Sequence, residues 1–278
     1  MRPARIAQAV LVAALAVAGA AVSVPAEAAT IPVACSETAL VNAVNLANQT
    51  LAADTLTLTP GCIYKLTSVH NGSAYPNTGL PVITTPIAMV GPATVTRSST
   101  KKFRIARVTG SGALTLTTGV AFTNGNVNGD GGAILNNGAV TLTQSSLTGN
   151  KASGNGGGLA NIKIASSAAP AATFTGGVVN NNVAGLAGGG IFNGTDTLTT
   201  TGLTMLGNHA GTKGGALAAV SSVATTLTNT VINANSATST SGGVYRSGGV
   251  MTTTSSPITG NTPNNCVGSA PAVPTCTG

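Results

Sequence analysis

The chain has 278 residues, carries a formal net charge of +7 and is only 6% charged, against about 25% in an ordinary globular protein. An aromatic fraction of 3% with no tryptophan argues against a stacking platform for single-stranded nucleic acid. A hydrophobic fraction of 42%, spread in short regular runs, argues against disorder throughout, which goes with low hydrophobicity or high net charge.

Read from the start, Arg2 and Arg5 precede an uncharged apolar stretch over residues 6–24. Pro25 ends the stretch, and Ala26-Glu27-Ala28 supplies the small-x-small pattern of a cleavage site. Residues 1–28 therefore read as a signal peptide cleaved before Ala29, leaving a secreted or cell-surface chain with no integral membrane segment. Ser36 can cap a helix, Glu37 suits its first turn, and Leu40, Val44 and Ala47 share one face. This stretch reads as a short N-terminal cap helix, and Thr55-Leu56-Thr57-Leu58-Thr59 as the first strand after it. Residues 29–62 thus form the cap and first coil.

The body of the chain, residues 63–265, is repetitive. Two or three glycines followed by an aliphatic residue recur, ending at Ile134, Leu159, Ile191 and Leu217, with a weaker copy at Val244. The spacings are 25, 32, 26 and 27 residues. An aliphatic residue stands three before an asparagine at Asn150, Asn182, Asn208, Asn235 and Asn261. Thr-x-Thr recurs in the same phase at Thr115/Thr117, Thr141/Thr143, Thr173/Thr175, Thr197/Thr199, Thr226/Thr228 and Thr252/Thr254. Its middle residue is apolar except at Thr253, so alternation turns that residue inward and both threonines outward. Segments this short and glycine-rich do not suit helices. A period near 26 allows about three short strands per coil of a right-handed parallel β-helix, since parallel crossovers are almost always right-handed.

The fold class is therefore all-β: a solenoid of about eight coils, roughly 40 Å long at about 4.8 Å per coil, with the cap helix at its start. The paired glycines mark bends, and the recurrent asparagines should stack as a ladder of side-chain amides. The longer spacing of 32 contains a loop between Lys163 and Pro170. Residues 80–108 read as early, irregular coils. Cys35, Cys62, Cys266 and Cys276 allow three pairings. Their places at the chain ends favour Cys35–Cys62 and Cys266–Cys276, the latter closing a C-terminal cap over residues 266–278. No CxxC occurs, so a zinc site is not expected.

The paired-glycine and aliphatic-x-x-Asn repeats resemble those of the polymorphic outer membrane proteins of chlamydiae and of secreted actinobacterial parallel β-helix proteins. The stretch from Cys35 to Tyr64 and Gly79-Leu80-Pro81-Val82-Ile83 are similar to the start of the actinobacterial group. The resemblance covers most of the chain after the signal and implies the fold. For function it implies only a surface or secreted role, because those groups include adhesins.

Candidate chemistry is sparse. The chain beyond the signal has four acids, Glu37, Asp54, Asp130 and Asp196, and a glycan hydrolase needs two or three close together. Asp130 precedes a glycine pair and Asp196 begins a Thr-x-Thr strand, so they fall at different phases of the coil. Asn124–Asp130 is oxygen-rich but lacks the terminal acid of a calcium loop. No Gly-x-Ser-x-Gly occurs, and His70 and His209 show no acid partner in sequence. No catalytic residue, metal or cofactor is expected. Arg97, Lys101, Lys102, Arg104 and Arg107 are five of the ten basic residues beyond the signal, packed into eleven positions. Such a cluster can hold a polyanion such as an acidic polysaccharide or cell-wall polymer. Nucleic acid is a poorer partner for an exported monomer. The expectation is a non-enzymatic binding or display protein. The alternatives are a polysaccharide lyase or hydrolase of the pectate-lyase-like fold, and an ice-binding threonine face resembling that of β-helical antifreeze proteins.

Overall fold

A computed structural model describes residues 27–70, 77–163 and 170–278. The expected signal peptide up to residue 26 and loop residues 164–169 lie outside the described residues. The described chain winds as an all-parallel β-solenoid of about eight turns. Alternation decides which side chains enter it. In Ala113–Thr117, for example, Leu114 and Leu116 are fully buried while Thr115 and Thr117 face outward, as a strand with one wet face requires.

Four sheets run along the solenoid, of nine, eight, six and five strands. The nine-stranded sheet holds the threonine repeats. Each turn between residues 113 and 247 contributes four strands where the period suggests three; one turn comprises Ala139–Thr143, Ser146–Thr148, Lys151–Ala152 and Leu159–Asn161. The extra strand has a local cause. Gly149 adopts φ +65°, which bends the chain between Leu147 and Asn150 and leaves a two-residue strand beyond the asparagine.

The paired glycines do two jobs. Gly156 takes φ +67°, and a Cβ built on Gly157 would collide with the carbonyl oxygen of Gly189 in the next turn. The first glycine turns the chain and the second lets two turns approach.

The asparagines stack as expected. Asn150 Nδ2 donates to Asn182 Oδ1 at 3.0 Å, Asn182 to Asn208 at 3.0 Å, Asn208 to Asn235 at 2.9 Å, and Asn235 to Asn261 at 3.0 Å. Each amide also donates to a carbonyl of the preceding turn, as Asn208 does to Val179 at 2.8 Å. Each Oδ1 additionally accepts a backbone N–H, as Asn208 does from Asn182 at 3.0 Å. One side chain therefore ties three successive turns. A second, shorter ladder, Asn136 to Asn161 at 2.7 Å and Asn161 to Asn193 at 2.8 Å, escaped the sequence reading. Its signal was present: an asparagine stands two residues after the aliphatic residue in three of the glycine repeats.

The register corrects one threonine assignment. Thr173 and Thr175 pair with Thr199 and Thr201, not with Thr197 and Thr199. Leu198 then packs in the column of Ala172, and Thr200 takes the inward place between Phe174 and Leu227. Thr200 and Thr253 are buried polar exceptions in that column, and both hydroxyls are bonded. Thr200 Oγ1 lies 2.7 Å from Thr230 Oγ1, and Thr253 Oγ1 donates to Pro274 O at 2.7 Å.

Both ends are covered. Helix α1, Glu37–Ala47, is capped by Ser36, whose hydroxyl accepts from Ala39 N at 3.1 Å, and it buries Leu40, Val44 and Ala47. The solenoid begins earlier than the sequence suggested, because Thr30–Val33 precedes the helix and pairs with Asp54–Leu58. The disulfides join Cys35 to Cys62 and Cys266 to Cys276. At the far end Val273 is buried against the core.

Replacing a middle rung should be costly. Asn208→Ala strands the N–H of Asn182, one amide hydrogen of Asn182 and the carbonyl of Val179, while Asn235 Oδ1 keeps the backbone N–H of residue 208. At about 1 kcal/mol or more per buried unsatisfied group, urea unfolding should show a loss on the order of 3 kcal/mol. Thr148→Ala, on the half-buried outer face, loses a single hydroxyl bond to Asn180 and should cost well under half of that.

Candidate functional site: the basic segment and the threonine face

The basic segment starts at the end of strand Ala93–Arg97 and runs into strand Ala106–Val108. Its five charges do not form one exposed patch. Arg97 turns back on its own loop, donating from Nε to Asn124 O at 2.9 Å and from a terminal nitrogen to the carbonyls of Ser99 and of Lys101, the latter at 3.1 Å. Its guanidinium carbon stands 5.9 Å from the Phe103 ring centroid, and burial lowers its pKa. Arg104 is only 6% exposed and acts as a staple across turns, donating to Thr78 Oγ1 at 3.3 Å and Asp130 O at 3.1 Å. Burial, helped by Arg107 and opposed by Asp130, pushes its pKa down to about 10.

Arg107 is half-buried on the six-stranded sheet. Lys101 and Lys102 are exposed, and Lys102 Nζ reaches Asn128 Oδ1 at 3.3 Å. The outward charge of the segment therefore comes chiefly from the two lysines.

The acids are absorbed into the fabric. Glu37 accepts from Thr67 N at 2.8 Å, Thr67 Oγ1 at 2.6 Å and Ser68 N at 3.3 Å, and it pairs with His70 Nε2 at 2.8 Å. Burial pushes its pKa up, but these hydrogen bonds outweigh that and hold it below the usual carboxylate range. The pairing corrects the expectation that His70 has no acid partner, which sequence could not supply because the residues lie 33 positions apart. Ser68 Oγ also approaches the same Nε2, at 3.2 Å. A catalytic triad needs acid and hydroxyl on opposite ring nitrogens, so this trio is a loop clamp. His209 Nδ1 meets Ser236 Oγ at 2.9 Å.

Asp130 Oδ1 accepts from Asn155 N at 2.6 Å and Asn155 Nδ2 at 3.2 Å. It lies in the turn before Ile134–Asn136, and Asp196 in the turn before Thr197–Thr201, two different corners of the solenoid. Among the described residues no three His, Cys, Asp or Glu side chains group as a metal site. A recess at the N-terminal rim, lined by Pro32, Val33, Ala34, Thr57, Leu58, Thr59 and Pro60, holds no titratable side chain.

Two further surfaces are built by register. Thr115, Thr141, Thr173, Thr199, Thr226 and Thr252 form one column on the nine-stranded sheet, and Thr117, Thr143, Thr175, Thr201, Thr228 and Thr254 form the next. On the six-stranded sheet a column runs Arg107, Leu135, Ala160, Phe192, Ala218, Tyr245. Phe192 and Tyr245 are half-exposed there. Lys213 Nζ lies 3.1 Å from the Tyr245 hydroxyl and 4.5 Å from its ring centroid, and that contact lowers the phenol's pKa. These aromatics were missed in the sequence; each directly follows the aliphatic residue of a glycine repeat. Comparison with protein-family models, with curated proteins and with solved structures gives no match.

Asp196 offers a test of this electrostatic layout. Its carboxyl is fully buried, and burial raises its pKa to about 6 against the opposing influence of Lys163 and Thr195. A raised carboxyl pKa means the folded state holds its proton more tightly than the unfolded one. The contribution of this one group is thus most favourable below about pH 4, declines as pH rises toward about 6 and levels off above it. Asp196→Asn should stabilise the protein at pH 7.5 by on the order of 1–2 kcal/mol. In denaturant titrations that gain should shrink toward zero at pH 4.

Proposed function

We propose that this protein is a non-enzymatic extracellular solenoid that binds an acidic polysaccharide or cell-wall polymer. The observation that carries the reading is the disposition of charge from Ala29 onward. All four carboxylates are buried or bonded within the fabric, whereas Lys65, Lys101, Lys102, Lys151 and Lys163 are exposed. A polyanion approaching this surface meets cations with little competing negative charge, and such attraction acts over about 8–10 Å at physiological salt.

The column from Arg107 to Tyr245 adds aromatic faces suited to sugar rings. Two disulfides, and the absence among the described residues of a helix long and apolar enough to cross a membrane, are compatible with work outside the cell. So is the resemblance of the repeats to secreted actinobacterial and chlamydial surface proteins.

Sedimentation with cell wall and acidic polysaccharides across a salt series tests the proposal. Lys101→Gln/Lys102→Gln should weaken binding at least threefold at low salt and flatten its salt dependence, with an unchanged circular dichroism spectrum. Arg104 is unsuitable for this test because its removal breaks a buried staple. Binding that is indifferent to both salt and the double substitution would overturn the proposal, as would depolymerisation of the glycan.

A second reading rests on the twelve in-register threonines. Both columns are uncharged and repeat at about 4.8 Å along the solenoid and about 6.7 Å along each strand, a regular hydroxyl lattice suited to ice. Thermal hysteresis abolished by Thr173→Tyr would favour it; none at high protein concentration ends it.

A further inference from the structure

Asp54 opens the strand Asp54–Leu58 and is only 2% exposed. Its Oδ1 accepts from the backbone nitrogen of Ala29 at 2.7 Å, and its Oδ2 from Thr50 Oγ1 at 2.9 Å. Both are neutral donors. Among the described residues the salt bridge is His70–Glu37, and no described cation pairs with this deeply set carboxylate. A buried carboxylate is costly unless it is paired as well as hydrogen-bonded.

The nitrogen beside it is held in place from both sides. The carbonyl of Ala29 accepts from Thr55 N at 2.8 Å, and Thr30 pairs with Thr55 as the first rung of the nine-stranded sheet. Glu27 and Ala28, just upstream, are exposed and lie outside any strand. The first strand of the solenoid, Thr30–Val33, starts at the residue after this nitrogen.

We infer that the bond between Ala28 and Ala29 is a processing site, and that its cleavage completes the fold by placing a charged N-terminus on Asp54. In the hydrolysis the hydroxyl of water goes to the carbonyl carbon of Ala28, released as a carboxylate. The nitrogen of Ala29 takes up protons to become an ammonium. A neutral N–H donor at 2.7 Å is thereby replaced by a cation on the same atom, with no movement of the strand. The carboxylate already strengthens this hydrogen bond, and a full positive charge on the donor adds Coulomb attraction across the same short distance. The uncut chain lacks this pair, so full stability belongs to the processed form.

The sign of the pH dependence follows. Pairing raises the α-amino pKa above its ordinary range of about 7.7–8.0. The stabilisation is present at neutral pH and is lost as pH rises through the raised value.

The experiment uses chains exported from the intact precursor, analysed first by intact mass and then by thermal unfolding. Four chains form a cycle: wild type, Asp54→Asn, a chain with Gly-Ser inserted between Ala28 and Ala29, and the combination. The mass of the wild-type product should begin at Ala29. The insertion should lower the midpoint by several degrees at pH 7 with Asp54 present and by little with Asn in its place. The first gap should narrow by pH 10. A product beginning elsewhere, or an insertion equally harmful on both backgrounds, overturns the inference. If the Asp54→Asn chains fail to accumulate, the acylation rate of the Ala29 amine in the native wild-type protein decides. Strong protection relative to the unfolded chain supports the pair, and equal reactivity overturns it.

Discussion

The structure depends on the stacking of each turn on its equivalent below, at the fixed spacing of parallel backbone hydrogen bonds. Once that spacing is imposed, every side chain lies above and below a counterpart. The character of each column is then set by whatever residue the repeat places there. An aliphatic column makes a core, as with Leu116, Leu142 and Phe174. An asparagine column makes a buried polar seam, and a threonine column a wet face. The asparagines are the most demanding, because a buried amide must find acceptors for both its hydrogens and donors for its oxygen. They meet that demand by bonding one another and the flanking backbone, which is why an uninterrupted run is needed.

That logic explains what could be read from the sequence and what could not. The threonine pairs, paired glycines and main asparagine column were legible because each repeats along the chain in one phase. The cap helix was legible because Ser36, Glu37 and the apolar stripe form a local signal. The fourth strand of each turn was not, since a two-residue strand such as Lys151–Ala152 has too little pattern to register. The Thr197 assignment failed for a related reason: Thr197, Thr199, Thr200 and Thr201 lie within five positions, and only pairing with Thr173 and Thr175 selects the frame.

The candidate site was harder to read than the fold. Five basic residues within eleven positions look alike in sequence, yet burial separates Arg104, a staple between turns, from Lys101 and Lys102, which meet solvent. The clamp of Glu37 on His70 and the aromatic column through Phe192 and Tyr245 join residues from different turns. Contacts of that kind follow from register, which must be known before the pairs can be recognised.

The two ends differ in kind from the middle. A helix and a disulfide close one, a second disulfide and Val273 the other, while each intervening turn contacts chiefly its two neighbours. Stability in such an array is approximately a sum over turns and their interfaces. The length of the molecule is therefore free to drift by whole turns. A duplication or loss of about 26 residues in phase would leave both caps and all four sheets intact, changing only how many threonines, asparagines and lysines are displayed. Selection could thus tune the reach of the surface in turn-sized steps without redesigning the fold.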